Sequence, residues 1–475
     1  MANSGLQPRS LALLGAGAAG LLLAGWAWRR AASQAHVADR RVPSHRVVVI
    51  GAGFGGLQAA KELAGKPGVD LTVIDSHNHH LFQPLLYQVA TAALSPEDIA
   101  SPVRGLLPGG DHTRVLMDTV TGVDTAARRV VLRGGDSVPY DELIIATGSE
   151  TSYFGHDGWT RAAPGLKSLQ DALGLRQRIL SALERAAETA NEVERIRLLT
   201  FVLIGGGPTG VEMAGSIAEL TRQMLARDYG GDPDQARVVL IEAGPRLLPA
   251  FAPDLSQAAS RALATLGVEV RLGAPVTGIE PDTVHLRDGA IMAETIIWTA
   301  GTAATPVAAW LGLQADKGGR VAVGLDLRVT GLTDVRVIGD AALVRGADGQ
   351  PLPALAPVAK QQGHYVAQAI LGRLHGKRTL PPFAYRDYGT LATIGRNRAV
   401  AEFGPVHLTG TLAWWAWAGA HIFFLIGFRN RVMVSAQWAF AYVTNNRSGR
   451  LIIGRSKASH ASVLPPPATK AVSAT

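Results

Sequence analysis

The sequence predicts an α/β fold of two similar units followed by a helical, basic C-terminal region. Three observations carry this. Two glycine-rich turns of one pattern each follow an apolar run and precede a helical stretch. They are Gly51-Ala52-Gly53-Phe54-Gly55-Gly56 after Val47-Val48-Val49-Ile50, and Gly205-Gly206-Gly207-Pro208-Thr209-Gly210 after Phe201-Val202-Leu203-Ile204. Each turn is answered by a second apolar strand ending in glycine. Gly148 lies 97 positions after Gly51 and Gly301 lies 96 after Gly205, which is an internal duplication in outline. Finally, charge is segregated. From Gly376 onward 12 Lys+Arg stand against 2 acids, while residues 1–375 hold 34 against 36.

With 475 residues and 47% hydrophobic content, the chain can bury two or three cores. It has no cysteine, which excludes disulfides, thiolate metal sites and electron transfer through a cysteine pair; no metal site is expected. A pI near 9.9 raises nucleic acid as a partner. The basic excess is confined to a Trp-rich C-terminal quarter, however, which suits a membrane surface better than a groove reader.

At the N-terminus, Gly15-Ala16-Gly17-Ala18-Ala19-Gly20 repeats the glycine spacing but lacks a preceding strand. It lies in the uncharged run Leu11 to Trp28, followed by Arg29-Arg30, which reads as a single-span anchor with the following domain on the cytoplasmic face of the cell inner membrane. A cleaved signal peptide is the alternative. Residues 31–44 read as a tether. The first α/β unit runs from strand 47–50 through a helix of about Gly55 to Ala64 and strand Leu71-Thr72-Val73-Ile74 to Leu143-Ile144-Ile145-Ala146-Thr147-Gly148. Pro164-Gly165 punctuates the crossing, and Ser168 to Glu194 reads as helical. The second unit includes strand Val238-Val239-Leu240-Ile241 and closes with Ile296-Ile297-Trp298-Thr299-Ala300-Gly301. A further buried strand, Val335 to Ile338, ends in Gly339-Asp340. Beyond it the chain is expected to be helical, then aromatic and basic. The expected domains are 1–44 anchor and tether, 45–165 and 303–400 the two parts of one nucleotide domain, 166–302 the other, and 401–475 the membrane-associating region.

Strand, glycine turn and helix together make a dinucleotide site of the Rossmann kind. The first glycine permits the turn, the second lets pyrophosphate approach the backbone, and the third lets helix and strand pack. The free N–H groups of the helix N-terminus favour phosphate. A carboxylate at the end of the next strand receives ribose hydroxyls: Asp75 in the first unit, Glu242 in the second. Glu242 would repel a 2′-phosphate, so NADH is expected over NADPH. Gly339-Asp340 resembles the sequence by which flavoproteins hold the ribityl chain of FAD, although a plain Asx turn is the simpler reading. The expected FAD residues are thus Gly51, Gly53, Gly55, Gly56, Asp75, Thr147, Gly148, Gly339 and Asp340. Those for NADH are Gly205, Gly207, Gly210, Glu242, Ala300 and Gly301. Glu212, placed on the first turn of its helix, either answers the helix dipole or faces the gap between the two cofactors.

With these residues in place the chain resembles the type II NADH:quinone oxidoreductases, flavoenzymes with two dinucleotide-binding domains. The general likeness rests on GAGFGG, LIIATGS, GGGPTGVE, IEAG, TAGT and VIGD. More particular are Phe82-Gln83-Pro84-Leu85-Leu86-Tyr87-Gln88-Val89-Ala90-Thr91, which adds Gln83 to the FAD candidates, and Gly389 to Gly395. Ala413-Trp414-Trp415-Ala416-Trp417, His421 and Leu425 to Arg431 complete it. The resemblance implies non-covalent FAD, hydride transfer from NADH to the flavin, and delivery of two electrons to a quinone (ubiquinone or menaquinone) without proton pumping. It also implies a functional Glu at position 212, near the nicotinamide and involved in quinone protonation. The family's quinone-pocket helix often carries Ala-Gln before a Gln-Gln pair. Here Ala356-Pro357 precedes Lys360-Gln361-Gln362, so these three are the quinone candidates and the missing amide is a departure. Pro357 suits a helix start.

Leu412 to Phe428 is uncharged, and four of nine tryptophans fall between Trp414 and Trp438. By length alone this segment could just span a bilayer, but paired helices lying in the lipid interface are expected, with a homodimer contact as the alternative use of that surface. Two other functions remain: an FAD-dependent NADH reductase of a soluble protein carrier, and a redox sensor that binds NADH and flavin without turnover.

Overall fold

The computed structural model describes residues 44–376, 379–444, 447 and 449–452. The expected N-terminal span, Leu11 to Trp28, lies outside them. The first unit contains β1 (His45–Ile50), α1 (Phe54–Leu63), β2 (Val69–Asp75), β3 (Thr113–Met117) and β4 (Glu142–Ile145). The second contains α2 (Leu169–Glu188), β5 (Thr200–Ile204), α3 (Pro208–Arg227), β6 (Arg237–Ile241), β7 (Val268–Arg271) and β8 (Thr295–Trp298). The chain then returns to the first sheet with β9 (Val335–Val337) and continues into α4 (Ala356–Leu374).

Both sheets are parallel. Their orders are β9-β4-β1-β2-β3 and β7-β6-β5-β8, so each glycine turn leaves a central strand. The reason is visible in composition: Val47 to Ile50 and Phe201 to Ile204 are buried throughout, as strands covered on both faces must be. The units are joined where Ser149–Thr151 pairs antiparallel with Thr302–Ala304, just past the two closing glycines. At the far end of the first sheet Glu142 is fully buried and ion-paired with Arg336, itself 1% exposed, and with Arg373.

Three expectations need correction. The helix expected from Ser168 to Glu194 breaks: α2 ends at Glu188, and Asn191 accepts the N–H groups of Val193 and Glu194 to start Glu192–Leu198. An N-cap restarts the helix there. The stretch before the aromatic tail is not all helical. It forms an antiparallel sheet, β10 (Thr390–Gly395), β11 (Arg398–Phe403) and β12 (Val406–Thr409), which packs on α3 and on the tail. The expected boundary after residue 400 therefore falls inside β11. Last, α3 begins at Pro208 behind Gly207, so Glu212 lies beyond the first turn and is poorly placed to answer the helix dipole.

Two helices follow the sheet: α5 (Gly410–Phe424) and α6 (Phe428–Thr444). Among the described residues no helix is long and apolar enough to cross a membrane. Trp417 and Val434 are buried inward, while Trp415, Phe423, Phe428 (82% exposed), Phe440 and Val443 (83%) face outward.

Candidate active site

The two glycine turns repeat each other in detail. Gly51 (φ +94°) and Gly205 (φ +114°) take left-handed conformations closed to most side chains. A Cβ on Gly56 would overlap the carbonyl oxygen of Gly51, and one on Gly210 that of Gly205. At Gly53 and Gly207 the corresponding space is open, leaving bare backbone where a pyrophosphate would approach. Gly55 also lets α1 and α4 cross closely. Its Cβ would lie 2.9 Å from the Ala359 oxygen, and Gly363 reciprocates against the Gly55 oxygen.

The carboxylates repeat as well. Asp75 accepts the N–H of Ala52 at 2.7 Å with one oxygen and that of His77 at 2.7 Å with the other. Glu242 accepts the N–H of Gly206 at 2.6 Å and that of Gly244 at 2.6 Å. Each carboxylate is tied to its turn and to the residue two places on, with lone pairs left for hydroxyl donors. Thr299 donates to the oxygens of Ile204 and Gly205, both at 2.9 Å, locking the Thr299-Ala300-Gly301 crossing onto the second turn.

Around Gly339-Asp340 the structure adds residues that the sequence reading missed. Ser149 Oγ donates to Asp340 Oδ2 at 2.7 Å, and Lys167 Nζ donates to Ser149 Oγ at 3.2 Å. Burial pushes the Lys167 ammonium down from its ordinary range, against the pull of Asp340. Gln83 Nε2 donates to the Lys167 oxygen at 3.1 Å, and Thr147 shares a 2.6 Å hydroxyl contact with Thr305. A hydroxyl beside the LIIATG run was the available signal for Ser149; nothing local pointed to Lys167. His80 is buried, with Nδ1 2.8 Å from the Ala52 oxygen and Nε2 without a protein partner. Because a carbonyl only accepts, Nδ1 carries the proton. Burial first, then Lys61 and Lys360, push His80 down to about 4, so the ring is neutral at pH 7.

The three quinone candidates separate. Gln362 is buried, its Oε1 accepting the Gly339 N–H at 2.7 Å. Gln361 is held by the backbone of Arg386, donating to its oxygen at 2.8 Å and accepting its N–H at 2.9 Å. Neither amide is directed to the C-terminal helices by these bonds. Lys360 does: its ammonium stands 5.2 Å from the ring centre of Phe424 on α5. Burial lowers its pKa, and so do the neighbouring cations Lys61 and Arg431. Edge-to-face rings continue this wall from His80 through Phe54 and Phe82 to His421.

Glu212 is only partly buried as a residue, but its carboxyl is desolvated. That pushes its pKa up to about 8, against a hydrogen bond from the Thr393 backbone. Tyr87 lies within reach of its charge, and burial raises the phenol well above 10. Gln88 Nε2 donates to the Tyr87 hydroxyl at 2.8 Å, and Trp438 Nε1 donates to Gln88 Oε1 at 2.8 Å. A hydrogen-bonded line thus runs from Tyr87, beside Glu212, to α6.

The sequence matches the family described as pyridine nucleotide-disulphide oxidoreductase over residues 45–363, and the NDH2 C-terminal domain over 388–446. It is 42% identical over 424 residues to the Type II NADH:quinone oxidoreductase Ndh of Mycobacterium tuberculosis, covering 86% of this chain and 90% of that protein. This chain is a member of the type II NADH:quinone oxidoreductases. NdhA of the same organism is 41% identical over 85% of this chain and 88% of its own length. Among solved structures, NDH2 of Plasmodium falciparum in complex with NADH superposes with a TM-score of 0.78 at 20% identity, over 86% of this chain and all of that one. That likeness shows the fold. The disulphide chemistry in the broader family's name has no counterpart in a chain without cysteine.

Proposed function

We propose that the protein oxidises NADH and reduces a quinone, with FAD held at the first turn and NADH at the second. The observation that carries this is the duplicated geometry: two open glycine turns, each with its carboxylate, in two units joined by the paired strands 149–151 and 302–304. The residues fit FAD, since Gly51, Gly53, Gly55, Gly56 and Asp75 form one cradle and Thr147, Gly148, Gly339 and Asp340 close it. Bound FAD supplies the hydride acceptor and the two-electron relay. The protein's part is orientation and exclusion of water. Gln83, Ser149 and Lys167 brace Asp340, and Gln362 fixes the Gly339 turn. Gly205, Gly207, Gly210, Ala300 and Gly301 hold the NADH backbone. Glu242, with one oxygen on the Gly206 N–H of its turn and the other on the Gly244 N–H, sets its negative charge where the 2′-phosphate of NADPH would come and so disfavours it.

Quinone takes up two electrons and two protons to become quinol. Glu212, held protonated at neutral pH by desolvation, is the proposed source of one proton, with Tyr87 beside it. Lys360 is the proposed quinone contact, and Gln361 and Gln362 position its helix.

The outward-facing aromatics of α5 and α6, with Arg429 and Arg431 among them, support docking on the surface of the inner membrane's cytoplasmic face. A homodimer is the competing use of that surface. The proposed domains are 45–165 with the returning strand and α4 for FAD, 166–302 for NADH, and a C-terminal region that starts with the sheet at Thr390. Anaerobic spectroscopy of the flavin-loaded protein tests the function. NADH should bleach the flavin and a quinone should restore it. Restoration only by a soluble protein carrier, or by nothing, would favour the reductase or the sensor.

A further inference from the structure

Phe154 is a large apolar side chain, 68% exposed, on a backbone in the left-handed region at φ +53°. Both features oppose stability. A non-glycine residue in that region brings its Cβ against the backbone, and an exposed phenyl ring gains little by burial. Glycine, the residue that suits this backbone, stands next door at Gly155 (φ +90°) and is not used at 154. The conformation is nevertheless held: Phe154 N–H donates to Ser152 Oγ at 3.3 Å, and the Ser152 oxygen accepts from Trp298 Nε1 at 2.9 Å. The ring meets Trp298 edge-on, centres 6.3 Å apart.

What the ring covers is informative. It rests on Gly301, where any Cβ would overlap it. Ala300, the preceding residue, has its N–H 2.6 Å from where a Cβ on Gly205 would stand, so turn, crossing and ring form one continuous surface. The sheet order β7-β6-β5-β8 fixes direction along that surface. From the turn after β5, Glu242 lies at the end of β6 on one side, and Ala300 and Gly301 lie past β8 on the other. A dinucleotide with its pyrophosphate on the turn and adenosine ribose at Glu242 sends its nicotinamide half toward Phe154.

We infer that Phe154 is a positioning residue for the nicotinamide half of NADH, its ring forming the wall against which that half is held. This rests on the proposal that the second turn binds NADH. A flat, apolar face at the end of a polar track is what a nicotinamide ring recognises, and a stacking face improves affinity by about tenfold.

Phe154→Gly relieves the backbone while removing the ring, so it separates a structural from a binding role. On the flavin-loaded protein, NAD⁺ affinity is measured by calorimetry and the half-saturating NADH concentration by anaerobic flavin bleaching. ADP reports the adenosine half alone. The expected result is an NAD⁺ dissociation constant and a half-saturating NADH concentration raised about tenfold. ADP affinity and quinone KM stay unchanged, the melting temperature is equal or higher, and Phe154→Tyr stays close to wild type. If wild type is bleached by NADH and Phe154→Gly half-saturates at the same concentration, the inference fails alone. Equal weakening of ADP and NAD⁺ also overturns it. If NADH does not bleach the wild type, the reading of the second turn fails and takes this inference with it.

Discussion

Glu212 makes a prediction whose size follows from its surroundings. Its carboxyl has an ordinary pKa near 4.5 in the unfolded chain and about 8 in the folded protein, because desolvation disfavours the charge. Between pH 4.5 and about 8 the folded state therefore keeps a proton that the unfolded chain has released. Stability due to this group is present below pH 4.5 and is lost as pH rises through 8. At roughly 1.4 kcal/mol for each pKa unit, the loss is on the order of 5 kcal/mol. Glu212→Gln keeps the shape and an acceptor for the Thr393 N–H but cannot ionise. Denaturant midpoints for both proteins from pH 5 to 9 isolate the effect, since every other titrating group cancels in the difference. The variant should match wild type near pH 5 and exceed it increasingly to pH 9. Quinone-dependent NADH oxidation by wild type should decline as pH rises past about 8, whereas the variant should be slower and flatter. A stability difference independent of pH would refute the desolvated carboxyl.

Gly210→Ala drives a methyl group into the Gly205 carbonyl, so the purified protein should keep its flavin colour but lose bleaching by NADH; Gly56→Ala should be purified without flavin, read from its visible spectrum. Gln362→Ala leaves the Gly339 N–H without its partner, at a cost of about 1–3 kcal/mol, and should weaken flavin retention by tenfold or more in dialysis. Glu142→Ala strands a buried arginine at position 336 and should lose about 3–5 kcal/mol of stability by denaturant titration. Replacing Trp415, Phe423 and Phe428 together by serine should abolish sedimentation with anionic vesicles while leaving reduction of a water-soluble quinone analogue intact.

Local patterns were the legible part. Gly51 and Gly205 could be read because a turn at positive φ before a helix leaves few residue choices. Asp75 and Glu242 could be read because they end buried strands. The tethering of both carboxylates to their turns was not written in any spacing, yet it makes the duplication physical. Contacts over long separations were hidden. Lys167 reaches Ser149 and Asp340 only through the crossing, and Gln362 turns inward because α4 packs against α1 across Gly55 and Gly363. The sheet from Thr390 to Thr409 was missed because strands half-covered by a helix carry mixed residues and weak alternation. Glu212 changed meaning for a related reason: Pro208 starts α3 a turn before it, and β10 comes over it from far along the chain.

Electrons pass from NADH through this chain to a quinone. Steady-state oxidation of NADH and of NADPH by the purified, flavin-loaded protein, with a ubiquinone and a menaquinone analogue, tests it directly. Quinone-dependent oxidation is expected, with NADH strongly preferred over NADPH. NADH oxidation that no quinone accelerates would contradict it.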